Sequence, residues 1–508
     1  MTSQRPDEAA APRAARLIDR QRDPADMIRF GTSGWRGNLG EEVTFPRMRR
    51  LVRGIADWLR TEQKGHSVLV GWDGRFASRL MAERTAHVLV SEGLKPILAS
   101  RLTPTPAMTH AMTHAPTHAK SQTTNPALRG GKAAAALVLT ASHNPAQDHG
   151  LKVFTSEGAA VSDAEAAKIE AAAEKRRAED RVIPDAAPIQ RHDFTADYER
   201  ALERVLDAEL IASAGIEVVY DAMHGAGGSV LGPVLTKAGA QVQTLRGEPD
   251  PYFGGGLPDP QAGRLDGLCE QVRDRSLSSA GVVGLATDGD ADRLGVVDAT
   301  GRVLTETQMI ALLVDYLAET GRVTRSVAIT EGTGSLVERV AAAHGLPVHR
   351  YPVGFKHLSA AMAAGDADVA GEESGGFALA QMGLDKDGLL AGLLIVEMVA
   401  HSGEGIAARL ARLESQFGAS ACGRDAAKRT GLRDAALDRL AAEPPNQVGG
   451  VDVVSTSHRS GFRLGLADEG FLIFRRSGTE ALIRVYAESG DPAGLRARLD
   501  HGLALLDS

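Results

Sequence analysis

Short apolar runs alternate with longer amphipathic segments through the middle of the chain. The amphipathic stretch 79–92 predicts a helix, and 162–180 predicts another, which Ser162 and Glu165 would begin with a capping box. Strands alternating with helices are typical of βαβ units and mostly parallel sheets. The apolar runs that predict these strands are 67–71, 134–139, 217–221, 281–286, 326–330 and 367–370.

The C-terminal part of the chain has a different pattern. Four apolar runs lie close together there, and helical patterns occur only outside them, which predicts a separate α+β domain. These runs are 451–455, 461–466, 470–474 and 482–487. We expect a polar N-terminal extension, three α/β domains and this α+β domain, divided as 1–24, 25–191, 192–305, 306–423 and 430–508.

Composition and charge exclude several classes of protein. The 508 residues carry a formal charge of −8, and aromatic residues make up only 4%, which disfavours a nucleic-acid binder. Cys269 and Cys422 form no CxxC pair, so a reducing compartment fits. Residues 1–24 contain no apolar signal core, and the longest apolar stretch, 389–400, is too short to span a bilayer. We therefore expect a soluble cytoplasmic protein with no membrane partner.

Three aspartates follow the apolar run 281–286, where the strand should end. In extended backbone Asp288, Asp290 and Asp292 would point the same way, and such close carboxylates repel unless a cation neutralises them. All-oxygen ligands suit Mg²⁺. The segment is no EF-hand, because Arg293 and Ala299 occupy the positions that need Gly and Glu. A solvated acidic turn is the alternative interpretation.

A serine follows the run 134–139 in the segment TASHNP, residues 140–145. Ser142 should be exposed at a strand-to-loop turn, and the neighbouring His143 imidazole could activate it as a nucleophile. The segment is not a G-x-S-x-G elbow, so acyl transfer is disfavoured. A phosphorylated serine could complete the Mg²⁺ sphere, whereas a plain polar turn is the alternative.

Further loops have the composition of ligand-binding loops. GEESGG at 371–376 offers paired carboxylates for sugar hydroxyls, and RRSGT at 475–479 offers guanidinium groups, hydroxyls and backbone donors for a phosphate. A glycine-rich turn at 30–37 presents Arg36. Dinucleotide binding is excluded, because Val230 replaces the last glycine of the G-x-G-x-x-G-like segment 225–230, and the chain has no P-loop.

A four-residue unit repeats within the segment 107–132. His110, His114 and His118 would share one face of a helix, which is a metal-ligand spacing. Pro116 interrupts such a helix, so a tolerated insertion is the favoured interpretation and a metal site is the alternative.

Taken in order, the motifs resemble those of the α-D-phosphohexomutase family, which includes phosphoglucomutase and phosphomannomutase. The matching segments are FGTSGWRG at 30–37, TASHNP at 140–145, DGDADR at 288–293, GEESGG at 371–376 and RRSGTE at 475–480, with DPYFGGGLPDP at 250–260 and PVGFKH at 352–357. The resemblance implies a heart-shaped molecule, in which three similar α/β domains and a smaller fourth domain surround a central cleft.

The resemblance also implies roles. Ser142 would be the phosphoserine, bound with Asp288, Asp290 and Asp292 to Mg²⁺, and a hexose 1,6-bisphosphate would be both intermediate and activator. Arg36, Lys152 and Arg293 would neutralise the phosphoryl group, and Lys152, His143 and Lys356 are the candidate general bases. The residues implied in binding the sugar phosphate are Arg293, Lys356, Glu372, Glu373, Ser374, Arg475, Ser477, Gly478 and Thr479.

The chain departs from the family pattern at several positions. Arg476 and Ala481 stand where prolines are usual, His149 replaces an asparagine, and Gly376 replaces a histidine that is a suggested base in some relatives. Glu373 stands where relatives acting on glucosamine phosphate often carry Gln, which favours glucose, then mannose. The alternatives are an aspartyl-phosphate enzyme of the haloacid dehalogenase type with Asp288 as nucleophile, or a non-catalytic sugar-phosphate binder. The oligomeric state, monomer or dimer, stays open.

Overall fold

The described residues form four sheets, and the first lies in the N-terminal third of the chain. The computed structural model describes residues 27–62, 65–114, 132–179, 188–277, 281–477 and 481–507. The first sheet has seven strands in the order β1-β2-β6-β5-β3-β4-β7, and its central strands β5, β3 and β4 are parallel. The strands are β1 Phe30–Gly31, β2 Gly34–Asn38, β3 Ser67–Trp72, β4 Lys95–Ala99, β5 Ala135–Leu139, β6 Asp148–Phe154 and β7 Gln190–His192; the helices are α1 Phe45–Thr61, α2 Ser78–Ser91, α3 Thr105–Thr113 and α4 Asp163–Lys175.

The second and third sheets have four strands each, in the orders β11-β10-β8-β9 and β13-β12-β14-β15. In each sheet three strands are parallel. A fourth strand, β11 or β15, forms an antiparallel hairpin with the strand before it. The second unit contains β8 Glu217–Asp221, β9 Gln241–Leu245, β10 Val282–Thr287, β11 Leu294–Val297, α5 Phe194–Val205, α6 Ala208–Ala214, α7 Leu231–Lys237 and α8 Asp266–Ser276. The third contains β12 Val327–Thr330, β13 Val348–Tyr351, β14 Val369–Gly371, β15 Phe377–Leu379, α9 Glu306–Glu319, α10 Leu336–Ala343, α11 Phe355–Ala364, α12 Gly388–Ser402 and α13 Ile406–Phe417.

The fourth sheet is antiparallel, in the order β16-β21-β20-β19-β18-β17. Its strands are β16 Ala421–Lys428, β17 Gln447–Val448, β18 Val451–Ser457, β19 Phe462–Leu466, β20 Phe471–Arg476 and β21 Leu482–Ser489, and its helices are α14 Gly431–Ala442 and α15 Pro492–Leu506. Because β16 pairs with β21 along its whole length, this sheet begins at residue 421 and not near 430. The edge strand β16 has no apolar run, so the pattern did not mark it.

The fold class expected from the sequence is confirmed. All the predicted strands are present, and the predicted capping box joins Ser162 and Glu165 at the start of α4. The helix α12 is apolar on nearly every side and packs in one hydrophobic core shared by the second and third units. Among the described residues no single helix has the length and apolar character to cross a membrane, and only the bent pair α12–α13 meets that test together.

Candidate active site

Three predicted functional segments occupy equivalent places in the three α/β units. Each lies in a hairpin between a parallel strand and the antiparallel strand that follows it, namely β5–β6, β10–β11 and β14–β15. We name them the serine loop (140–147), the metal loop (288–293) and the sugar loop (372–376). Because the hairpins are equivalent, the fold places all three at the same end of their sheets, where α/β proteins gather ligands.

The serine loop carries Ser142 into the interior. Ser142 is 1% exposed and has a left-handed φ of 54°, and its N–H donates to Thr140 Oγ1 at 2.8 Å. Its hydroxyl donates to Asp288 Oδ2 of the second unit at 2.6 Å, and His143 Nδ1 lies 3.4 Å from the same hydroxyl oxygen. The predicted exposure of Ser142 is therefore wrong: the side chain is buried, because it faces the metal loop.

The metal loop brings its three carboxylates together by a turn. One oxygen each from Asp288, Asp290 and Asp292 lies within 4.8 Å of the others, and all three residues are fully buried. The expected extended backbone is not observed, since Ala291 has a φ of 62° and the N–H groups of Asp292 and Arg293 fold back onto Asp288 Oδ1 at 2.9 and 3.1 Å. The convergence is as predicted, but its cause is the turn.

Two lysines compensate the negative charge of this cluster. Lys152 Nζ donates to Asp290 Oδ2 at 2.6 Å and to Asp292 Oδ2 at 2.5 Å, and Lys386 Nζ lies 3.3 Å from the latter oxygen. Although burial opposes ionisation, Lys152 and Lys386 hold the pKa of Asp292 well below its ordinary value. Burial and the two neighbouring carboxylates instead raise the pKa of Asp288 well above its ordinary value. The two lysines therefore pair with Asp290 and Asp292, and the surroundings of Asp288 disfavour its charge.

The residues of the trio fit a magnesium ion. Asp290 Oδ1 and Asp292 Oδ1 are buried, and neither has a hydrogen-bond partner among the described residues. An unpaired buried carboxylate oxygen is costly, and hard oxygen donors are what Mg²⁺ prefers. A divalent cation bound by the trio would satisfy both of these oxygens.

Cations also border the cluster on the side of the serine loop. Arg36 donates from Nη1 to Asn144 Oδ1 at 3.2 Å, and burial lowers the pKa of its guanidinium. Arg293 Nη1 lies 3.8 Å from Asp259 Oδ1. Burial, together with the charges of Arg293 and Arg36, lowers the pKa of His143 well below its ordinary value, so its imidazole is neutral at pH 7.

A lysine from outside the motif packs against the sugar loop. Ser374 Oγ donates to the buried Glu372 carboxylate, and Thr330 Oγ1 donates to Glu373. A Cβ at Gly376 would come within 2.3 Å of Lys386 Cδ. The Lys386 stem therefore fills the space that a side chain at residue 376 would need.

Of the residues predicted to hold the distal phosphate, Arg475 lines a separate cavity of about 510 Å³. Lys356 and Arg475 lie on its wall, and Lys356 is ion-paired with Asp163 from the first unit instead of joining the aspartate trio. The guanidinium of Arg476 binds Asp434 and Asp438, at 2.7 and 2.6 Å. Ser477 is buried where this loop begins, and the predicted Gly478 and Thr479 lie outside the described residues.

The histidine segment links two units through backbone contacts. The rings of His110 and His114 stack 4.1 Å apart, as the helical spacing implied. His110 Nδ1 lies 2.8 Å from the carbonyl oxygen of Met382, and His114 Nε2 lies 2.9 Å from that of Gln381. His118 and the rest of 115–131 lie outside the described residues.

Sequence reasoning missed three residues of this site. Thr105 Oγ1 donates to Asp290 Oδ2 at 2.5 Å, Lys386 pairs with Asp292, and Arg75 holds the serine loop. Thr105 and Arg75 lie in no motif that the sequence marked. Lys386 is preceded and followed by aspartates, ten residues after the sugar loop, and that charge pattern was the only available signal.

Family models match most of the chain in three consecutive pieces. The models for phosphoglucomutase/phosphomannomutase alpha/beta/alpha domains I, II and III match residues 27–180, 196–301 and 305–417. The phosphoglucosamine mutase of Jannaschia sp. (strain CCS1) is 30% identical over 93% of this chain and 97% of its own length. This chain belongs to the phosphoglucomutase/phosphomannomutase family. The resemblance seen in the motifs is thus confirmed.

Other relatives agree with this membership. The phosphoglucomutase/phosphomannomutase of Thermococcus kodakarensis is 27% identical over 94% of this chain and 98% of its own length. The crystal structure of a Thermus thermophilus protein has a TM-score of 0.78 at 28% identity, covering 95% of this chain and 99% of that one. Members of the family are mutases, so this chain is a phosphohexomutase, an intramolecular phosphotransferase.

Proposed function

We propose that this phosphohexomutase interconverts hexose 1-phosphate and hexose 6-phosphate through a phosphorylated Ser142, with glucose phosphates as the favoured substrates. The observation that carries the proposal is the 2.6 Å hydrogen bond from Ser142 Oγ to Asp288 Oδ2, which puts the hydroxyl beside the aspartate trio. A phosphoryl group on that oxygen would lie among Arg36, Lys152 and Arg293.

The reaction exchanges one phosphate ester for another. The free hydroxyl of a sugar monophosphate attacks phosphorus, the new O–P bond forms as the Ser142 Oγ–P bond breaks, and the hydroxyl proton passes to a base. The resulting hexose 1,6-bisphosphate turns around, and its other phosphoryl group returns to Ser142. Mg²⁺ held by the trio would neutralise charge on the transferred group. The fixed cations Arg36 and Lys152 stabilise that charge further without reorganisation.

The three candidate bases differ in their surroundings. Lys356 is bound to Asp163 at the wall of the phosphate cavity, which suits a contact to the distal phosphate. The ammonium of Lys152 is held by two carboxylates, which suits a fixed cation. His143 lies next to Ser142 Oγ and carries no such carboxylate partner among the described residues. These contacts favour His143 as the group that exchanges protons.

The identity of the sugar rests on the sugar loop. Glu372 and Ser374 can accept and donate hydrogen bonds to sugar hydroxyls, and Glu373 in place of Gln favours glucose. A second candidate is glucosamine phosphate, because the 30% identical Jannaschia relative carries that name and a carboxylate at residue 373 could also bind an ammonium group. Mannose phosphate differs from glucose phosphate only at C2, so some use of both is expected.

The decisive test combines turnover with detection of the phosphoserine. We expect glucose 1-phosphate to be converted in a coupled assay and peptide mass spectrometry to place an acid-stable phosphate on Ser142. Ser142→Ala should lower kcat by about 10⁴-fold or more, because the covalent route is lost. Ser156→Ala, which removes a hydroxyl outside the cleft, is the control. A hydroxylamine-labile phosphate on Asp288 would contradict the proposal and support an aspartyl-phosphate enzyme.

The substrate is settled by parallel kinetics. Glucose, mannose and glucosamine 1-phosphates are compared by kcat/KM under one set of conditions. We expect the glucose substrate to have the highest value. A higher value for the glucosamine substrate would assign the chain to the second candidate, with the same Ser142 chemistry.

A further inference from the structure

Arg75 binds the backbone of the serine loop. It follows β3, is 3% exposed, and its guanidinium donates four hydrogen bonds to carbonyl oxygens. Nη2 donates to the carbonyls of Ser142 and Asn144 at 2.6 and 2.7 Å, and Nη1 donates to those of Pro145 and Asp148 at 2.7 and 2.9 Å. One planar group thereby fixes the turn that holds Ser142 in its left-handed conformation.

A buried chain of polar contacts, ending in an ion pair, leads from His149 to Arg75. His149 Nδ1 accepts the Gly150 N–H at 2.7 Å, so its Nε2 carries the hydrogen and donates to Ser78 Oγ at 2.8 Å. Ser78 Oγ donates to Asp73 Oδ1 at 2.8 Å, and Asp73 Oδ2 lies 3.3 Å from Arg75 Nε. His149, one of the residues that depart from the family pattern, therefore belongs to the support of Arg75.

The Arg75 guanidinium also contacts the second unit. Its central carbon lies 4.8 Å from the centre of the Phe253 ring, and Phe253 is 2% exposed. A Cβ on Gly289 would lie 3.4 Å from Phe253 Cζ and only 2.5 Å from the carbonyl oxygen of Ser142. The metal loop at Gly289 thus lies directly against both Phe253 and the serine loop. The segment 250–260, which had no role in the chemistry, supplies this ring.

We propose that Arg75 and Phe253 form a latch between the first two units that sets the position of Ser142 relative to the aspartate trio. Both act as positioning residues, since neither contacts the trio's oxygens, and the inference rests on the proposed phosphoserine function. The Arg75 guanidinium stacks on the buried Phe253 ring and so joins the two units. Its four hydrogen bonds to carbonyl oxygens then fix Ser142 relative to that contact. A misplacement of about 1 Å at a reacting atom can cost about 100-fold in rate.

The test compares Arg75→Lys and Phe253→Leu with the wild type. Lysine keeps the charge but not the planar fork, and leucine keeps an apolar side chain but removes the ring. Arg79→Lys is the matched control, because Arg79 lies in the first turn of the nearby α2, is mostly exposed and pairs only with Glu83 among the described residues. Each protein is first phosphorylated, the phosphorylated fraction is counted by intact mass, and single-turnover transfer to glucose 1-phosphate is measured per phosphorylated site.

We expect Arg75→Lys to slow transfer per phosphorylated site by about 100-fold and Phe253→Leu by about 10-fold, with Arg79→Lys unchanged. Amide hydrogen exchange at residues 142–148 should be faster in Arg75→Lys. A transfer rate per phosphorylated site within about threefold of the wild type would overturn the latch, because a merely structural role lowers the melting temperature and the phosphorylated fraction alone.

The exchange measurement separates this inference from the proposed function. If the wild type takes no phosphate on Ser142, the proposed function fails, and faster exchange at 142–148 in both Arg75→Lys and Phe253→Leu still supports the latch. Unchanged exchange in both variants overturns the latch whatever the activity.

Discussion

The two ends of the cleft are built in opposite ways. Ser142 and the aspartate trio are buried, and the serine loop and metal loop hold each other directly. Around Lys356 and Arg475 the walls enclose a cavity of about 510 Å³ and come from the first, third and fourth units. Under the proposed mechanism the first region would fix the reacting atoms, whereas the second would leave room for a ligand. Changes in the first should therefore lower kcat, and changes in the second should raise KM.

The fourth unit supplies part of the wall of the second region and is joined to the third unit by polar contacts. It meets the third unit through polar groups: Ser335 and Ser420 both donate to Glu488, and Ser457 donates to Glu331. Polar interfaces of this kind resemble transient ones, and relative motion across them is the default expectation. The bisphosphate of the proposed mechanism would need such room to turn around. The buried centre, by contrast, would have to keep its geometry through both proposed half-reactions.

Among the changes that compare the two regions, the largest expected effect is in the buried centre. Asp292→Asn removes the charge of one of the two aspartates whose buried oxygens have no hydrogen-bond partner among the described residues. We therefore expect weaker Mg²⁺ binding, measured by calorimetry. We also expect kcat to fall by about 10³-fold, with KM little changed. Asp385→Asn is the matched control, a buried carboxylate that pairs with Lys386 but contributes no oxygen to the trio. Equal Mg²⁺ affinity in Asp292→Asn and the wild type would contradict the assignment of the metal site.

The next effect belongs to the open region. Arg475→Gln should raise KM for the sugar phosphate by about 10- to 100-fold with kcat nearly unchanged, because it removes a charge-assisted bond to the distal phosphate. Arg476→Gln is an unusually close control, since that guanidinium is already bound to Asp434 and Asp438. Should Arg475→Gln lower kcat as strongly as Asp292→Asn, the division between the two regions would not hold.

The sequence identified those residues of the candidate site that lie in short motifs. Ser142, the trio and the sugar loop each follow an apolar strand, so strand pattern and side-chain chemistry were enough to mark them. That the three loops occupy the same hairpin of three similar sheets was not foreseen, because strand order depends on pairing between distant segments. The left-handed turn at Ala291 was also hidden, since alanine gives no signal for it.

The residues that were missed act through partners that a sequence does not display. Arg75 binds four backbone carbonyls, and carbonyls are the same at every position. Lys386 replaces a missing side chain at residue 376 by filling its space, which only packing reveals. Such residues become visible only when two distant segments are seen in contact.

The smallest expected effect lies outside both regions, at the contact between α3 and the loop after β15. Burial lowers the pKa of His110 to about 4, against 6.5 for a free histidine. Between about pH 6.5 and 4, His110 is protonated in the unfolded chain but not in the folded protein. The free energy of unfolding should therefore fall as the pH drops through this range, by about 3 kcal/mol at most. Melting temperatures measured across this range would show the slope.

His110→Asn keeps a donor near the carbonyl of Met382 and removes the titrating group, so its melting temperature should depend less on pH than that of the wild type. His66→Asn, at an exposed histidine, should leave the slope as it is. The imidazole of His110 contacts the Met382 carbonyl and the rings of His114 and Tyr198, and none of these groups belongs to either region. We therefore expect both His110→Asn and His66→Asn to leave kcat and KM at pH 7 unaffected. A kinetic effect of His110→Asn would mean that this contact between the first and third units also sets the geometry of the cleft, and the sharp division between its two ends would need revision.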